Sequence, residues 1–227
     1  MAIFTDVFED VTKFGKKIPT SEYLESGKYP IIDQGQSDIA GHTNEENGLF
    51  TDVPVIIFGD HTRAVKYVDT PFFLGADGVK VLKSKINDVN DKYLYYAISS
   101  VNIPDTGYNR HFKWLKEADI QIPTIERQFQ IVKTLDNLTN LIDLHNQQIK
   151  KLDELVKARF VELFGDPIRN TQNRPTTDFI NVVRMQRGFD LPVQDRQQGG
   201  DIPVFGSNGA LDRHNVAKVQ GGGVITG

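Results

Sequence analysis

Between Thr124 and Gly165, side chains of one stripe recur at threes and fours without a break. They are Ile125, Phe129, Val132, Leu135, Leu138, Ile142, His145, Ile149, Leu152, Val156, Phe160 and Leu163, with His145 the single polar member. The mean spacing is roughly 3.5 residues, the repeat of a left-handed coiled coil. Nothing else in the chain restricts the fold as strongly, because the pattern demands one unbroken helix about 60 Å long at 1.5 Å per residue. Thr124 can cap its amino end, with Glu126 in the first turn. Gly165 followed by Pro167 supplies a left-handed stop and a block to continuation. A domain of some 120 residues cannot cover so long an apolar stripe, so the stripe is expected to meet a partner helix. His145 on that seam is expected to control register, since a buried polar group disfavours slipped pairings.

The residues before the helix carry a different period. PVIIFG, AVKYV and PFFLGADGVKVL alternate strand-like runs with turn signals from residue 54 onward, with a tight connection at Gly75 to Gly78. A small mixed or antiparallel sheet is expected there. Asn90 or Asp91 can start a short helix through KYLYYAISS, and IQIP returns as an edge strand because Pro123 cannot donate to a ladder. The fold class is therefore α+β.

After the helix, DPIRNTQNRPTTD is turn-rich and polar, a linker by composition. The beginning of the chain then recurs in order. DVFEDVTKF (6–14) reads against DFINVVRM (178–185), GKYPIIDQG (27–35) against GDIPVFGSNG (200–209), and VIIFG (55–59) against GVITG (223–227). The expected organisation is a domain at 1–123, a long helix at 124–165, a linker at 166–177 and a partial repeat of the first domain at 178–227. The repeat breaks off at the residue where the first copy would reach its DHTR loop, which fits either a fragment or a shortened natural form.

Charge and cysteine content limit the function. With 26 Lys and Arg against 30 Asp and Glu the net charge is −4, so the chain lacks the basic balance of an autonomous nucleic-acid binder. Residues 1–123 hold 13 basic and 18 acidic side chains, and residues 167–227 hold 7 and 5. Any contact with nucleic acid has to come from local patches or from a partner. The absence of cysteine excludes disulfides, thiolate nucleophiles and zinc ribbons. The amino terminus MAIFTDVFED lacks a basic flank and an apolar stretch, and a soluble cytoplasmic protein is expected. No glycine-rich motif between a strand and a helix, no Asn-Pro-Pro-aromatic stretch and no phosphate-binding loop is present, so neither catalysis nor a cofactor is expected.

Four stretches, GDHTRAVKYVDTPFFLGADGVKVL (59–82), GYNRHFKWLKEADIQIP (107–123), TIERQFQIVKTLDNL (124–138) and ELFGDP (162–167), resemble the specificity subunits of type I restriction-modification systems. The likeness covers essentially the whole chain. It implies two target recognition domains that each read half of a bipartite DNA site. Antiparallel spacer helices hold such domains apart and dock methyltransferase subunits, with restriction subunits joined indirectly. One spacer helix is present here, which implies pairing with a second copy or with a helical methyltransferase.

Under that resemblance, the loop Asp60, His61, Thr62 and Arg63 holds the donor and acceptor types that read base edges. In the competing reading Asp60 and Arg63 bridge each other to close the hairpin, and His61 caps a backbone group. Lys66, Asn109, Arg110, His111 and Lys113 are further candidates for phosphate or base contact, with Tyr108 and Trp114 beside them. Phe112 and Trp114 themselves are expected in the core. Gln34 and Gln36 flank Gly35 in a polar turn where an amide could read adenine. The readings from other classes are a coiled-coil interaction module without DNA specificity and, third, a nuclease centred on Asp60, His61 and Arg63.

Overall fold

A computed structural model of the chain describes residues 2–75, 78–107, 109–197 and 199–226. Its contacts divide into two compact units, Met1–Leu155 and Val156–Gly227. In chain order the first unit runs β1 (Ala2–Ile3), α1 (Phe4–Val7), β2 (Phe8–Asp10), β3 (Tyr29–Ile32), β4 (Gly41–Thr43), β5 (Val55–Gly59), β6 (Val65–Val68), β7 (Phe73–Leu74), β8 (Val79–Ser84), α2 (Asp91–Ser99), α3 (Phe112–Lys116), β9 (Asp119–Ile120) and the larger part of α4 (Ile125–Phe164).

The expected sheet forms around β5. It is antiparallel, in the order β2-β8-β5-β6, and a second sheet, β4-β3-β7, contains one parallel pair, β3 with β7. β5 is buried along its whole length because its alternate side chains enter two different cores. Ile56 and Phe58 join Phe4, Phe8, Leu82, Leu94, Phe112 and Leu115 on the face covered by α1, α2 and α3. Val55 and Ile57 join Ile32, Phe72, Leu74 and Val81 on the other face. A strand between two apolar layers reads as an uninterrupted VIIF run, and each fully buried large side chain there contributes on the order of 1.5–3 kcal/mol.

α2 begins where the sequence predicts. The Asn90 side chain caps it by accepting from Tyr93 N at 3.0 Å. The strand after α3 is shorter than the IQIP run and consists of Asp119 and Ile120, paired with β1. α4 follows directly on Thr124, whose carbonyl accepts from Gln128 N at 3.0 Å. It is 40 residues long and stops at Gly165, which has φ +79. Its first three turns are fastened to the domain. Gln128 is fully buried, donates to Pro123 O at 2.8 Å and accepts from Asn90 N at 2.9 Å. One helical turn beyond buried Val132, Asp136 accepts from Tyr96 Oη at 2.6 Å and from Lys92 Nζ at 2.9 Å.

The second unit holds the end of α4, then α5 (Phe179–Val182) and an antiparallel hairpin of β10 (Ile202–Gly206) and β11 (Gly209–His214). Local structure of the first unit recurs in it. Pro19 and Pro192 each precede a short 3-10 turn, and their carbonyls accept from Glu22 N at 2.9 Å and Asp195 N at 3.0 Å. The GKYPII and GDIPVF segments form β3 and β10. A Cβ at Gly27 would come within 3.1 Å of the Thr43 backbone and one at Gly200 within 2.2 Å of that of His214, so both glycines are pressed against the partner strand.

The first of the sequence matches is displaced by three residues. α1 and α5 are four-residue turns that each begin on a phenylalanine, so Phe4–Val7 corresponds to Phe179–Val182. Apolar positions set the correspondence, and the shared aspartates, Asp6 and Asp178, do not. Phe4 is 3% exposed, whereas Phe179 is 64% exposed. The third match is not visible as structure: VIIFG is β5, residues 223–226 form no strand, and Gly227 lies outside the described residues. Among the described residues no helix is long and apolar enough to cross a membrane.

Candidate nucleic-acid interface

The β5–β6 hairpin closes tightly, with Gly59 N donating to Ala64 O at 2.8 Å and Arg63 N to Gly59 O at 2.8 Å. Arg63 takes φ +61, a left-handed conformation that costs a non-glycine residue on the order of 1 kcal/mol. A glycine would satisfy the turn at lower cost, so the arginine side chain has to be accounted for by what it touches.

Three loops converge on this turn, and buried polar groups tie them together. Asp60 is 6% exposed; its Oδ1 accepts from Phe112 N at 2.8 Å. Its carbonyl accepts from His111 N at 2.8 Å and from His111 Nδ1 at 3.0 Å. Because a carbonyl only accepts, His111 carries a proton on Nδ1, and its Nε2 lies 3.5 Å from the Thr106 hydroxyl. These bonds fix His111 and the start of α3 to the hairpin. Lys66 fixes the third loop by donating to Asp33 O at 2.8 Å and Ser37 O at 2.6 Å. Burial pushes the Lys66 ammonium below its ordinary range, against the pull of Asp33 and Asp38. Thr62 donates to Gln34 O at 2.5 Å, and Gln34 Oε1 accepts from His61 N at 3.2 Å.

The Asp60–Arg63 bridge of the competing hairpin reading does not form. Asp60 faces inward to the backbone of residues 111 and 112, while Arg63 reaches the 103–105 loop. There its guanidinium donates to Ile103 O at 3.2 Å and to Asp105 Oδ2 at 2.8 Å. The backbone N–H of Gly107 and then Arg63 hold the Asp105 carboxyl below the usual range. His61 does meet a backbone group, donating from Nδ1 to Asn109 O at 3.2 Å. Asn109 is itself tied to Thr106 O at 2.5 Å.

The candidates thus fall into two groups. Asp60, Lys66 and His111 are buried and internally engaged, and Gln34 and Thr62 brace the turn. Gln36, Asn109, Arg110 and Lys113 are exposed, and His61 and Arg63 are partly so. Arg110 has no polar partner among the described residues. Lys113 lies over the Trp114 ring at 4.1 Å. Phe112 is buried in the core as expected, Trp114 is half-buried with its ring against His111 and outside the core clusters, and Tyr108 lies outside the described residues.

Two further cations belong to this surface that sequence reasoning missed. Lys80 Nζ and Lys116 Nζ sit 5.2 Å and 4.9 Å from the Phe112 ring centroid, beside the Arg110–Lys113 segment. Lys80 also pairs with Asp10 at 2.9 Å. A signal for Lys80 exists in the register, which places it opposite Phe58 at the loop end of β5.

The α4 stripe is a second candidate surface. Val132 is buried and Ile125 and Leu135 are half-buried against the domain. Phe129, Leu138, Ile142, Ile149, Leu152, Val156, Phe160 and Leu163 are exposed. Leu141, Leu144, Leu155, Val161 and Phe164 are exposed too and widen the apolar face beyond a two-helix seam. His145 is exposed and meets Gln148 Oε1 at 3.2 Å.

A family model for the type I restriction modification DNA specificity domain matches residues 4–154. The chain belongs to this family. The type I restriction enzyme EcoR124I/EcoR124II specificity subunit of Escherichia coli is 29% identical over 147 residues, which are 59% of this chain and 36% of that one. The crystal structure of a type I restriction-modification system S subunit from M. genitalium superposes with a TM-score of 0.50 at 18% identity, covering 96% of this chain and 62% of that one. The chain spans about a third of the E. coli subunit and less than two thirds of the M. genitalium one. The structural likeness supports the fold, α+β with antiparallel sheets and a long helix.

Proposed function

We propose that this chain is a sequence-reading specificity subunit that directs a type I methyltransferase, and indirectly its restriction subunit, to one half of a bipartite site in double-stranded DNA. The observation that carries this reading is the convergence of three loops on the β5–β6 turn. Cations stand outward there on a domain of acidic balance, while the polar groups that hold the loops are buried. Local charge of that kind suits phosphate positioning, and Arg63, His61, Asn109 and Gln36 supply the base-edge chemistry. Asp60, Lys66 and His111 act as positioning residues behind them. The methyl transfer and cleavage chemistry belongs to the partner subunits.

In the same reading residues 1–123 form one recognition domain, residues 124–165 a spacer helix, 166–177 a linker and 178–227 the start of a second recognition domain. The exposed α4 stripe pairs antiparallel with α4 of a second copy, and its extra apolar row offers room for a methyltransferase helix. The coiled-coil module without DNA specificity is not favoured, since the family model covers the globular domain as well as the helix.

The test is selection from a randomised duplex pool by the full chain, with affinity measured from low to moderate salt. A defined motif and a steep log–log salt slope, about 0.9 per phosphate contacted, support the reading. Recovery of unselected sequence would refute it.

A further inference from the structure

Arg63 is already engaged by two acceptors. Its NH1 donates to Ile103 O at 3.2 Å and its NH2 to Asp105 Oδ2 at 2.8 Å. A guanine edge likewise offers an arginine fork two acceptors, O6 and N7. Asp105 does not drift with the arginine, because its other oxygen accepts from Gly107 N at 3.0 Å and holds it to its own turn. The pair is only partly shielded, with the Arg63 side chain 33% and the Asp105 side chain 70% exposed.

We propose that Asp105 is a specificity-determining residue of the reading surface, a built-in competitor that yields Arg63 to a guanine edge but not to phosphate. The inference rests on the DNA-reading function proposed above. A guanine edge is neutral and offers two acceptors in place of the two given up. A phosphate approaching the same guanidinium meets the Asp105 carboxylate at close range and is repelled. An exposed ion pair of this kind is weak enough to be displaced, so it sets discrimination and leaves specific binding intact. The same carboxylate explains how a left-handed arginine at an exposed turn avoids acting as a general phosphate anchor.

Asp105→Asn isolates the effect, since the amide oxygen still accepts from Gly107 N while the opposite atom can no longer accept from Arg63. Asp105→Ser is a second variant that keeps an oxygen for the turn. Asp52→Asn is the charge control: it breaks a comparable pair with Lys83, at 2.5 Å, beyond the opposite end of β5. Each full-length variant is taken through randomised-duplex selection, and its affinity for poly(dA-dT) duplex, which has no O6 and N7 acceptor pair, is measured. Asp105→Asn and Asp105→Ser should bind poly(dA-dT) roughly two- to fivefold tighter. They should also lose base preference at the positions that Arg63→Gln flattens, and Asp52→Asn should do neither. Undiminished preference at those positions in both Asp105 variants overturns the proposal, as does equal tightening by Asp52→Asn. If the wild-type chain selects no motif, the DNA-reading function itself has failed, and this inference with it.

Discussion

Lys66 and Arg63 lie three residues apart on one hairpin and have opposite circumstances. The Lys66 ammonium is 6% exposed and satisfies two loop carbonyls, whereas the Arg63 guanidinium reaches an exposed carboxylate. Replacing Lys66 by Met leaves the Asp33 and Ser37 carbonyls without a donor, and a loss of about 1–3 kcal/mol in urea unfolding is expected. The salt slope of DNA binding by the folded Lys66→Met variant should not change. Lys113→Ala should do the reverse, keeping stability and lowering the slope by about 0.9. Arg63→Ala should relax one position of the selected site at a cost of roughly 1–3 kcal/mol, read as the affinity ratio between matched and mismatched duplex. Much of this was open to sequence reading. DHTR stands out as polar side chains in a gap between apolar runs. Which of them face inward was not legible, because the choice depends on segments 27 to 51 positions away, at Gln34, Ile103, Asp105 and His111.

At the scale of elements, α4 combines an anchored start with an unpartnered length. Asp136 joins it to α2 through Tyr96 and Lys92, and although burial pushes its carboxyl up, the Tyr96 and Lys92 bonds outweigh that and hold it below the ordinary range. A carboxylate lowered on folding contributes stability above about pH 4, and the contribution is lost as the pH falls through its depressed value. Acid should therefore loosen the first turns of α4 before the β5 core melts, as hydrogen exchange at residues 128–136 would record. Asp136→Asn should show the same loosening at neutral pH, with a loss of about 1 kcal/mol. Along the exposed stripe, Ile149→Asp should abolish self-association in sedimentation and leave the melting of the domain unchanged. His145→Leu should tighten association and admit additional registers in cross-linking. The helix and both its ends were readable from spacing, Thr124 and Gly165. The added row of Leu141, Leu144, Leu155, Val161 and Phe164 was not, because a search for a two-helix seam passes over the positions beside it.

For the molecule as a whole, the repeat is what would link the fold to the bipartite target proposed above. Its sequence signal was faint, yet the Pro19 and Pro192 turns and the Gly27 and Gly200 contacts recur in order. The error in aligning Asp6 with Asp178 shows that the phenylalanines opening the two short turns, Phe4 and Phe179, carry the register, while exposed acids drift. If this chain supplies sequence to chemistry performed elsewhere, methylated bases mapped in cells will carry its signature. The chain would be co-expressed with a type I methyltransferase subunit that lacks its own specificity subunit. Methylation confined to one motif, two half-sites at a fixed spacing, and relaxed by Arg63→Ala at the same position of each half-site is the predicted result. Methylation that is absent, or scattered without regard to sequence, would contradict the account.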